Sequence, residues 1–204
     1  MEKVDFKKTL KPLYAPKKKF ELIEVPKMQF LMVDGHGDPN SAQEYADAVE
    51  ALFGVAYKMK FISKKTLERD YTVPPLEGLW WAEDMDTFIS RDKSAWDWTM
   101  MIMTPDWITA EIFAAAVDEV RKKKSPASLD KVRLEKYHEG LSVQIMHIGS
   151  YDDEAPTIAA LHNEFLPEHG LTENGKHHEI YLSDPRKVTP EKLKTVLRQP
   201  VKRL

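Results

Sequence analysis

Residues 177–182 alternate polar and apolar side chains with the period of two that is typical of a β-strand. Ile180 and Leu182 would point to one face, and His177, Glu179 and Tyr181 to the other. The turn-forming sequence Ser183-Asp184-Pro185 ends the segment. The pattern therefore predicts a strand that has one apolar face and one face with a carboxylate and a phenol. Such a polar face either lines a small-molecule pocket or faces solvent, and the alternation fits both.

The first half of the chain shows two predicted strands and a helix. Residues 20–25 and 28–33 predict strands joined tightly at Pro26-Lys27, and a glycine-rich turn follows at 34–39. Apolar residues then recur at helical spacing as far as Met59, which predicts an amphipathic helix of about 20 residues. Ser41 and Glu44 have the spacing of a capping box at its start. Further strands are predicted at 77–84 and 96–103, with a loop at 85–93 between them.

The second half repeats this order of elements. A helix predicted at 109–124 leads to a Ser-Pro linker, after which come strands at 132–139 and 142–152, a helix at 156–169 and a strand at 178–183. Gly35 to Asp38 matches Gly149 to Asp152 in place, and Trp81 and Leu79 match Tyr181 and Glu179. A closing strand is predicted at 195–201. The sequence therefore predicts an internal duplication.

The predicted fold class is α+β, with tandem duplicated strand-helix-strand-strand units. We expect a mainly antiparallel sheet with helices on one face and a ligand groove between the halves, on the sheet side away from the helices. Residues 1–204 are predicted to form a single domain of two pseudo-repeats, at about 19–107 and 130–201, joined by the helix 109–124. Residues 1–19 are predicted to be an extended segment along the surface.

Composition narrows the class of protein. Of the 204 residues, 42% are hydrophobic and 31% charged, as in globular proteins that need no membrane. No stretch approaches the roughly 20 apolar residues of a membrane helix, and the lysine-rich start does not resemble a secretory signal. With no cysteine, the chain suits a reducing compartment, and we expect a cytoplasmic protein. The net charge of −3 predicts no direct nucleic-acid or membrane partner.

Aromatic residues and the strand carboxylate supply the candidate chemistry. All five tryptophans fall between residues 80 and 107, where they form either an oversized core or a cavity wall. An unpaired carboxylate in such surroundings is costly, so Glu179 is expected to have a raised pKa or a partner. It would then bind a cationic aromatic ligand, or act as a general base on water while Tyr181 donates to a ligand oxygen.

Four motifs give the chain a family resemblance. They are Glu77-Gly78-Leu79-Trp80-Trp81, Trp96-Asp97-Trp98, Gln144-Ile145-Met146-His147-Ile148-Gly149, and His177-His178-Glu179-Ile180-Tyr181-Leu182-Ser183-Asp184-Pro185. With these, the sequence from about Lys7 to Val201 resembles the stand-alone GyrI-like small-molecule-binding proteins. That resemblance implies a fold of two tandem strand-helix-strand-strand units.

The resemblance also implies a function. Related domains sense drugs in multidrug-responsive transcription activators, where a buried glutamate meets cationic aromatic ligands; Glu179 matches that position. Some stand-alone members resemble hydrolases that open the cyclopropane of duocarmycin-type alkylating natural products with a glutamate and a tyrosine. Glu179 and Tyr181 are therefore the candidate catalytic residues. No helix-turn-helix segment precedes the domain in this sequence, so regulation by direct DNA binding is not implied.

We therefore expect a protein that binds drug-like, aromatic or cationic hydrophobic ligands, with hydrolysis of cyclopropane-bearing toxins as a detoxifying activity. The alternatives are a non-catalytic sensor or sequestering protein and a topoisomerase-binding adaptor. We expect no cofactor and no metal, because His177 and His178 point to opposite faces of their strand. The expected ligand contacts are Trp81, Trp96, Trp98, Trp107, Tyr71, Met101 and His147.

Overall fold

A computed structural model of the chain describes residues 2–84 and 90–204. The chain divides into two compact units. Unit 1 comprises Met1–Thr9 and Met28–Tyr137, and unit 2 comprises Leu10–Lys27 and His138–Leu204. Part of the loop predicted at 85–93 lies outside the described residues. Within the described ranges, no helix combines the length and the apolar character needed to cross a membrane.

Unit 1 is built on an antiparallel sheet of three strands. Strand β2 (Glu21–His36) pairs through its second half with β5 (Asp97–Thr104), and β4 (Leu76–Trp81) pairs with the other side of β5. Helix α3 (Gln43–Thr66) follows β2 and packs on the sheet, and α4 (Ala110–Lys123) packs against α3. A short parallel pair, β1 (Lys3–Val4) with β3 (Asp70–Tyr71), completes the unit.

Unit 2 has the same order of elements. Strand β6 (Arg133–Ile148) pairs with β9 (Lys194–Arg203), and β8 (His177–Tyr181) pairs with the other side of β9. The connecting helix, α5, runs through Ala155–Ala160, a π-helical turn at Leu161–Phe165, and Leu166–Glu168. Strand β7 (Leu171–Glu173) pairs with the end of β9. The predicted α+β fold, with tandem strand-helix-strand-strand units and mainly antiparallel pairing, is confirmed.

Long strands replace two predicted hairpins. Residues 20–33 and 132–152 were each predicted as two strands, whereas β2 and β6 are continuous strands of 16 residues each. Pro26 does not interrupt β2, because proline keeps its preceding residue extended. Gly140 adopts the left-handed φ of +74° inside β6, a conformation that bends a strand without ending it. The chain reversals expected at both sites are therefore absent.

Two smaller predictions also differ from the structure. Residues 6–14 are not extended: they form the short helices α1 (Phe6–Thr9) and α2 (Lys11–Tyr14), because Pro12 suits a first helical turn and Leu13 and Tyr14 are buried. Ser41 and Glu44 form no capping box. The N-cap of α3 is Ala42, held by the Asp38 carbonyl, and Glu44 instead pairs with Lys131.

The closing strand predicted at 195–201 is confirmed as β9. Its position in unit 2, between β6 and β8, was not predicted. Its run of seven buried residues from Thr195 to Val201 fits a central strand, which is covered on both faces. The helices at 110–123 and 155–168 agree with the predictions, and Thr109 caps the first by accepting a hydrogen bond from the Ile112 amide.

Candidate functional site

The polar face of β8 carries a hydrogen-bonded group of three side chains. The Tyr181 hydroxyl donates to Glu179 Oε2 at 2.7 Å, and His177 Nε2 lies 3.0 Å from Glu179 Oε1. Because a carboxylate oxygen only accepts, the histidine proton must be on Nε2. The period of two along β8 places the three side chains in one row. The next residue, His178, points the other way and pairs with the buried Glu139 at 2.8 Å.

Glu179 is held as an anion by these contacts. Its side chain is 14% exposed, and burial acts to raise its pKa. The hydrogen bond and charge of His177, together with the Tyr181 hydroxyl, act in the opposite direction and keep the pKa of Glu179 below its ordinary value. The sequence predicted a raised pKa or a partner for this carboxylate. The structure provides the partner.

The turn before α5 lies against this row. The 3₁₀ turn Tyr151–Glu154 places the Tyr151 ring edge-on to the Tyr181 ring, with centroids 5.8 Å apart. Glu154, at the end of the turn, is 5% exposed, and its side chain acts with His177 and Tyr181 to lower the pKa of Glu179. Burial, followed by the nearby carboxylates of Glu154 and Glu179, raises the pKa of Tyr151 to about 12, so this phenol stays neutral. The row therefore faces the helix side of its own sheet.

The hydrogen-bond registers of the two units give the residue correspondence between the repeats. The left-handed Gly37 donates its N–H to the Trp96 carbonyl, and the left-handed Gly149 donates to the Leu193 carbonyl, in each case just before the central strand. The match of Gly35 with Gly149 was therefore wrong by two residues. The predicted alignment matched residues of the same type, whereas the positive φ that glycine permits marks the equivalent position.

The correspondence of the third strands changes as well. Trp80 pairs with Trp98 in unit 1, and Tyr181 pairs with Thr195 in unit 2. Trp80, and not Trp81, therefore corresponds to Tyr181, and Glu179 corresponds to Gly78 and not to Leu79. The predicted alignment was wrong by one residue, which in a strand exchanges the two faces.

In unit 1 the corresponding face is filled by indoles. Trp98 is fully buried, and its Nε1 donates to the Gly37 carbonyl. Its ring lies over Gly35 so closely that a Cβ there would be 2.1 Å from Trp98 Cη2. Tyr45 of α3 contacts the rings of both Trp98 and Trp80, with centroids 5.4 and 6.3 Å apart. This part of unit 1 is therefore an aromatic cluster around the buried Trp98, and the predicted role of Trp98 as a ligand contact stays a prediction.

The other predicted ligand contacts in unit 1 lie at several places. Trp96 contacts Trp80 at 5.9 Å and extends the indole core. Trp107 and Tyr71 form a separate aromatic group beyond the opposite end of β5, with centroids 6.0 Å apart, and the Arg69 guanidinium lies 3.9 Å above the Trp107 ring. The five tryptophans therefore do not form one cluster.

Trp81 and Met101 lie on the face of the unit 1 sheet away from α3. Trp81 is half-buried, and alternation along β4 places it opposite Trp80. Met101 is fully buried in β5 beside Glu77 of β4. In unit 2, His147 is buried, and its Nε2 donates to the Ser150 carbonyl at 2.9 Å. Their predicted roles as ligand contacts stay predictions.

Three residues in the part of unit 2 around the carboxylate were not predicted from the sequence. Tyr151 and Glu154 follow a strand end in an acidic turn, and only the fold brings them to β8. Thr195, the neighbour of both Tyr181 and His147, is 1% exposed, and its hydroxyl has no hydrogen-bond partner among residues 2–84 and 90–204. The only signal for Thr195 was its place in the predicted last strand.

Similar proteins of known structure include two from Listeria innocua. One is an uncharacterized conserved protein, 47% identical, with a TM-score of 0.91 over 98% of this chain and 100% of that one. The other is described as a hydrolase, 44% identical, with a TM-score of 0.86 over the same shares of the two chains. The EcmrR C-terminal domain shares the fold at 10% identity, with a TM-score of 0.57 over 91% of this chain and 98% of that domain.

No curated protein is detectably similar in sequence. Residues 18–202, however, match the family described as the GyrI-like small molecule binding domain. The match includes every strand from β2 to β8 and most of β9, so it spans the repeated units and the whole Glu179 site. The chain therefore belongs to the GyrI-like small-molecule-binding family.

Proposed function

We propose that this protein binds hydrophobic aromatic molecules and adds water to a strained electrophile, opening a cyclopropane ring of an alkylating toxin. The observation that carries the proposal is the Glu179 carboxylate held by the donors of His177 and Tyr181. The similarity to a protein described as a hydrolase, at 44% identity, supports a reaction with water. The lack of cysteine suits a reducing compartment, and we propose a cytoplasmic role.

The proposed step takes place on a cyclopropane conjugated to a ring ketone. Glu179 removes a proton from water as its oxygen attacks a cyclopropane carbon. The carbon–carbon bond breaks, its electron pair moves into the ring, and the ketone oxygen becomes a phenolate that takes the Tyr181 proton. Glu179 then returns the water proton to Tyr181 along their 2.7 Å hydrogen bond. The net reaction is addition of one water, and both side chains recover their starting forms.

The electrostatics of the site fit this role at neutral pH. Because His177 and Tyr181 keep the pKa of Glu179 below its ordinary value, the carboxylate stays in its base form well into the acid range. Activity that depends on this base would therefore decline only below the ordinary glutamate pKa of about 4.3.

Turnover of a cyclopropane-bearing alkylator, followed by mass spectrometry, tests the proposal. We expect Glu179→Gln to lower the rate by about 100-fold or more, because a positioned general base contributes on that order, while the ligand still quenches tryptophan fluorescence. Glu173→Gln is the matched control, since Glu173 lies in the same unit and pairs with His162. Full activity of Glu179→Gln would refute the mechanism.

The alternative is binding without turnover. The observation that favours it is the Glu179 carboxylate bonded to Tyr181, whose ring contacts that of Tyr151, because carboxylates and aromatic faces together attract organic cations. Under this alternative, a cationic dye quenches the fluorescence of the wild-type protein, Glu179→Gln weakens that binding, and mass spectrometry detects no product from the alkylator.

A further inference from the structure

Helix α3 is apolar on two opposite sides. Its buried side chains, among them Leu52 and Met59, lie on the side that packs on the sheet of unit 1. On the outer side, Phe53, Tyr57 and Phe61 recur every four residues and so lie along one line of the helix. We call these three side chains the outer stripe. A helix that is apolar on both sides is typical of one that is covered on both sides.

The outer stripe is open to solvent in the single chain. Tyr57 is 49% exposed and Phe61 is 56% exposed, and the ring of the half-buried Phe53 lies 6.3 Å from that of Tyr57. In the described part of unit 1, the exposed large hydrophobic side chains are Tyr57, Phe61 and Leu67, the C-cap residue of α3. They are thus gathered on one helix and are not scattered over the unit. Such a grouping is typical of a surface that another molecule covers.

The charges beside the outer stripe differ in sign between the two halves of the helix. Asp47 lies near the start of α3 and Lys65 near its end, about five turns apart, so both side chains point in the same direction. Neither forms an ion pair in the described part of the chain, where Asp47 accepts a hydrogen bond from Gln43 of its own helix. Tyr57 lies close to the midpoint between the two charges.

We propose that the outer stripe of α3 binds a second copy of this chain, with the two α3 helices antiparallel about a twofold axis near Tyr57. Rotation about this axis reverses the direction of the helix, so Asp47 of each copy lies opposite Lys65 of the other. The rings of the two stripes meet between these ion pairs. This surface is therefore complementary to itself, as a twofold dimer requires. Antiparallel packing also places the oppositely charged ends of the two helix dipoles side by side.

The expected dimer is weak, and it does not depend on the proposed reaction at Glu179. Each copy contributes one helix, which places the buried area near the lower end for specific interfaces. The apolar rings supply most of the attraction. The two ion pairs fix the direction of the helices and add less, because solvent screens exposed charges. The protein should therefore shift from monomer to dimer as its concentration rises.

Sedimentation velocity at protein concentrations from micromolar to near millimolar tests the surface. We expect the wild-type protein to dimerise, and Phe61→Ser to raise the dissociation constant at least about tenfold, because an interface ring is lost. Leu22→Ser is the matched control, since Leu22 is also exposed but lies in unit 2, and it should dimerise like wild type. Tyr57→Lys replaces Phe61→Ser if that variant does not fold. A wild-type protein that stays monomeric, or an unchanged dissociation constant in Phe61→Ser, would overturn the proposal.

A charge exchange tests the antiparallel arrangement. Asp47→Lys and Lys65→Asp each place like charges opposite one another in their own dimers, so each should dimerise about tenfold more weakly than wild type at low salt. Mixed together, the two variants should form a dimer of wild-type strength, because the lysines of one copy then face the aspartates of the other at both ends. High salt should remove these differences. No gain of association on mixing would refute the arrangement.

Discussion

The same face of the repeated sheet has opposite character in the two units. In unit 1 it holds Trp80 and Trp98 over two glycines, packed against Tyr45 of the helix. In unit 2 the corresponding positions hold Tyr181 and Thr195, with Glu179 and His147 in place of the glycines. In unit 1 this face is covered by aromatic side chains, whereas in unit 2 it carries ionisable and hydroxyl groups.

This difference shows that one duplicated fold accommodates an aromatic face in one unit and a polar face in the other. Large aromatic side chains bury more area than any others. In unit 1 the rings of Trp98 and Trp80 occupy the space that a Cβ at Gly35 or at Gly78 would need. At the same positions, unit 2 lacks this aromatic packing and has instead a network of polar contacts around Glu179. Substitutions at equivalent positions should therefore affect stability in unit 1 and the carboxylate in unit 2.

The largest expected effect is the loss of the unit 1 core. Trp98→Ala should lower the free energy of unfolding by about 3–5 kcal/mol, because a fully buried indole is removed and Gly35 cannot fill the space. Urea unfolding followed by circular dichroism measures this. The matched change in unit 2, Thr195→Ala, should cost about 1 kcal/mol or less. Similar losses at both positions would contradict the comparison.

A smaller, pH-dependent effect is expected for Tyr181→Phe. The lost hydroxyl is a donor to a charged group, worth about 1.5–3 kcal/mol at neutral pH. Glu179 has a lowered pKa when folded, so this contribution is present above the unfolded pKa of about 4.3 and disappears as the pH falls through the folded value.

Unfolding measured at neutral and strongly acid pH should therefore show a difference between wild type and Tyr181→Phe that shrinks with acid. Tyr57→Phe, a change on the exposed face of α3, is the control and should show no difference at either pH. A loss in Tyr181→Phe that is the same at both pH values would mean that the hydroxyl does not act through the charge of Glu179.

The smallest expected effect concerns two buried threonines. Thr195→Val should leave stability unchanged or raise it by up to about 1 kcal/mol, because the hydroxyl of Thr195 has no partner in the described part of the chain. Thr99→Val in unit 1 should lower stability by about 1 kcal/mol or more, since Thr99 Oγ1 donates to Asp34 Oδ1 at 2.6 Å. Thermal unfolding compares the two. Equal losses would show that Thr195 has a bound partner in solution.

Strong periodic patterns predicted most of the fold. The helices near 43–66 and 110–123, and the alternation that gives β8 its polar face, are local properties of the sequence. The hairpins at Pro26 and Gly140 were wrong because proline and glycine also occur within bent continuous strands, where only the partner strand decides between bend and reversal.

The site was only partly predictable for a related reason. Glu179 and Tyr181 lie two residues apart, so their shared face follows from the strand period. Glu154 lies on another element, and no spacing in the sequence connects it to β8. The predicted alignment of the repeats, based on residue type, was wrong by one residue in the third strand. In a strand, an error of one residue exchanges the two faces, so Trp81 was matched with Tyr181 in place of Trp80.

The central position of β9 has a consequence for synthesis on the ribosome. Unit 1 has its middle strand once residue 104 is made, whereas β6 and β8 of unit 2 have no common neighbour until Lys194–Arg203 is made. A nascent chain therefore carries Glu179 and its surroundings in an incomplete sheet until β9 has been synthesised. A truncation before Lys194 would remove that strand and leave β6 and β8 without the neighbour that they share.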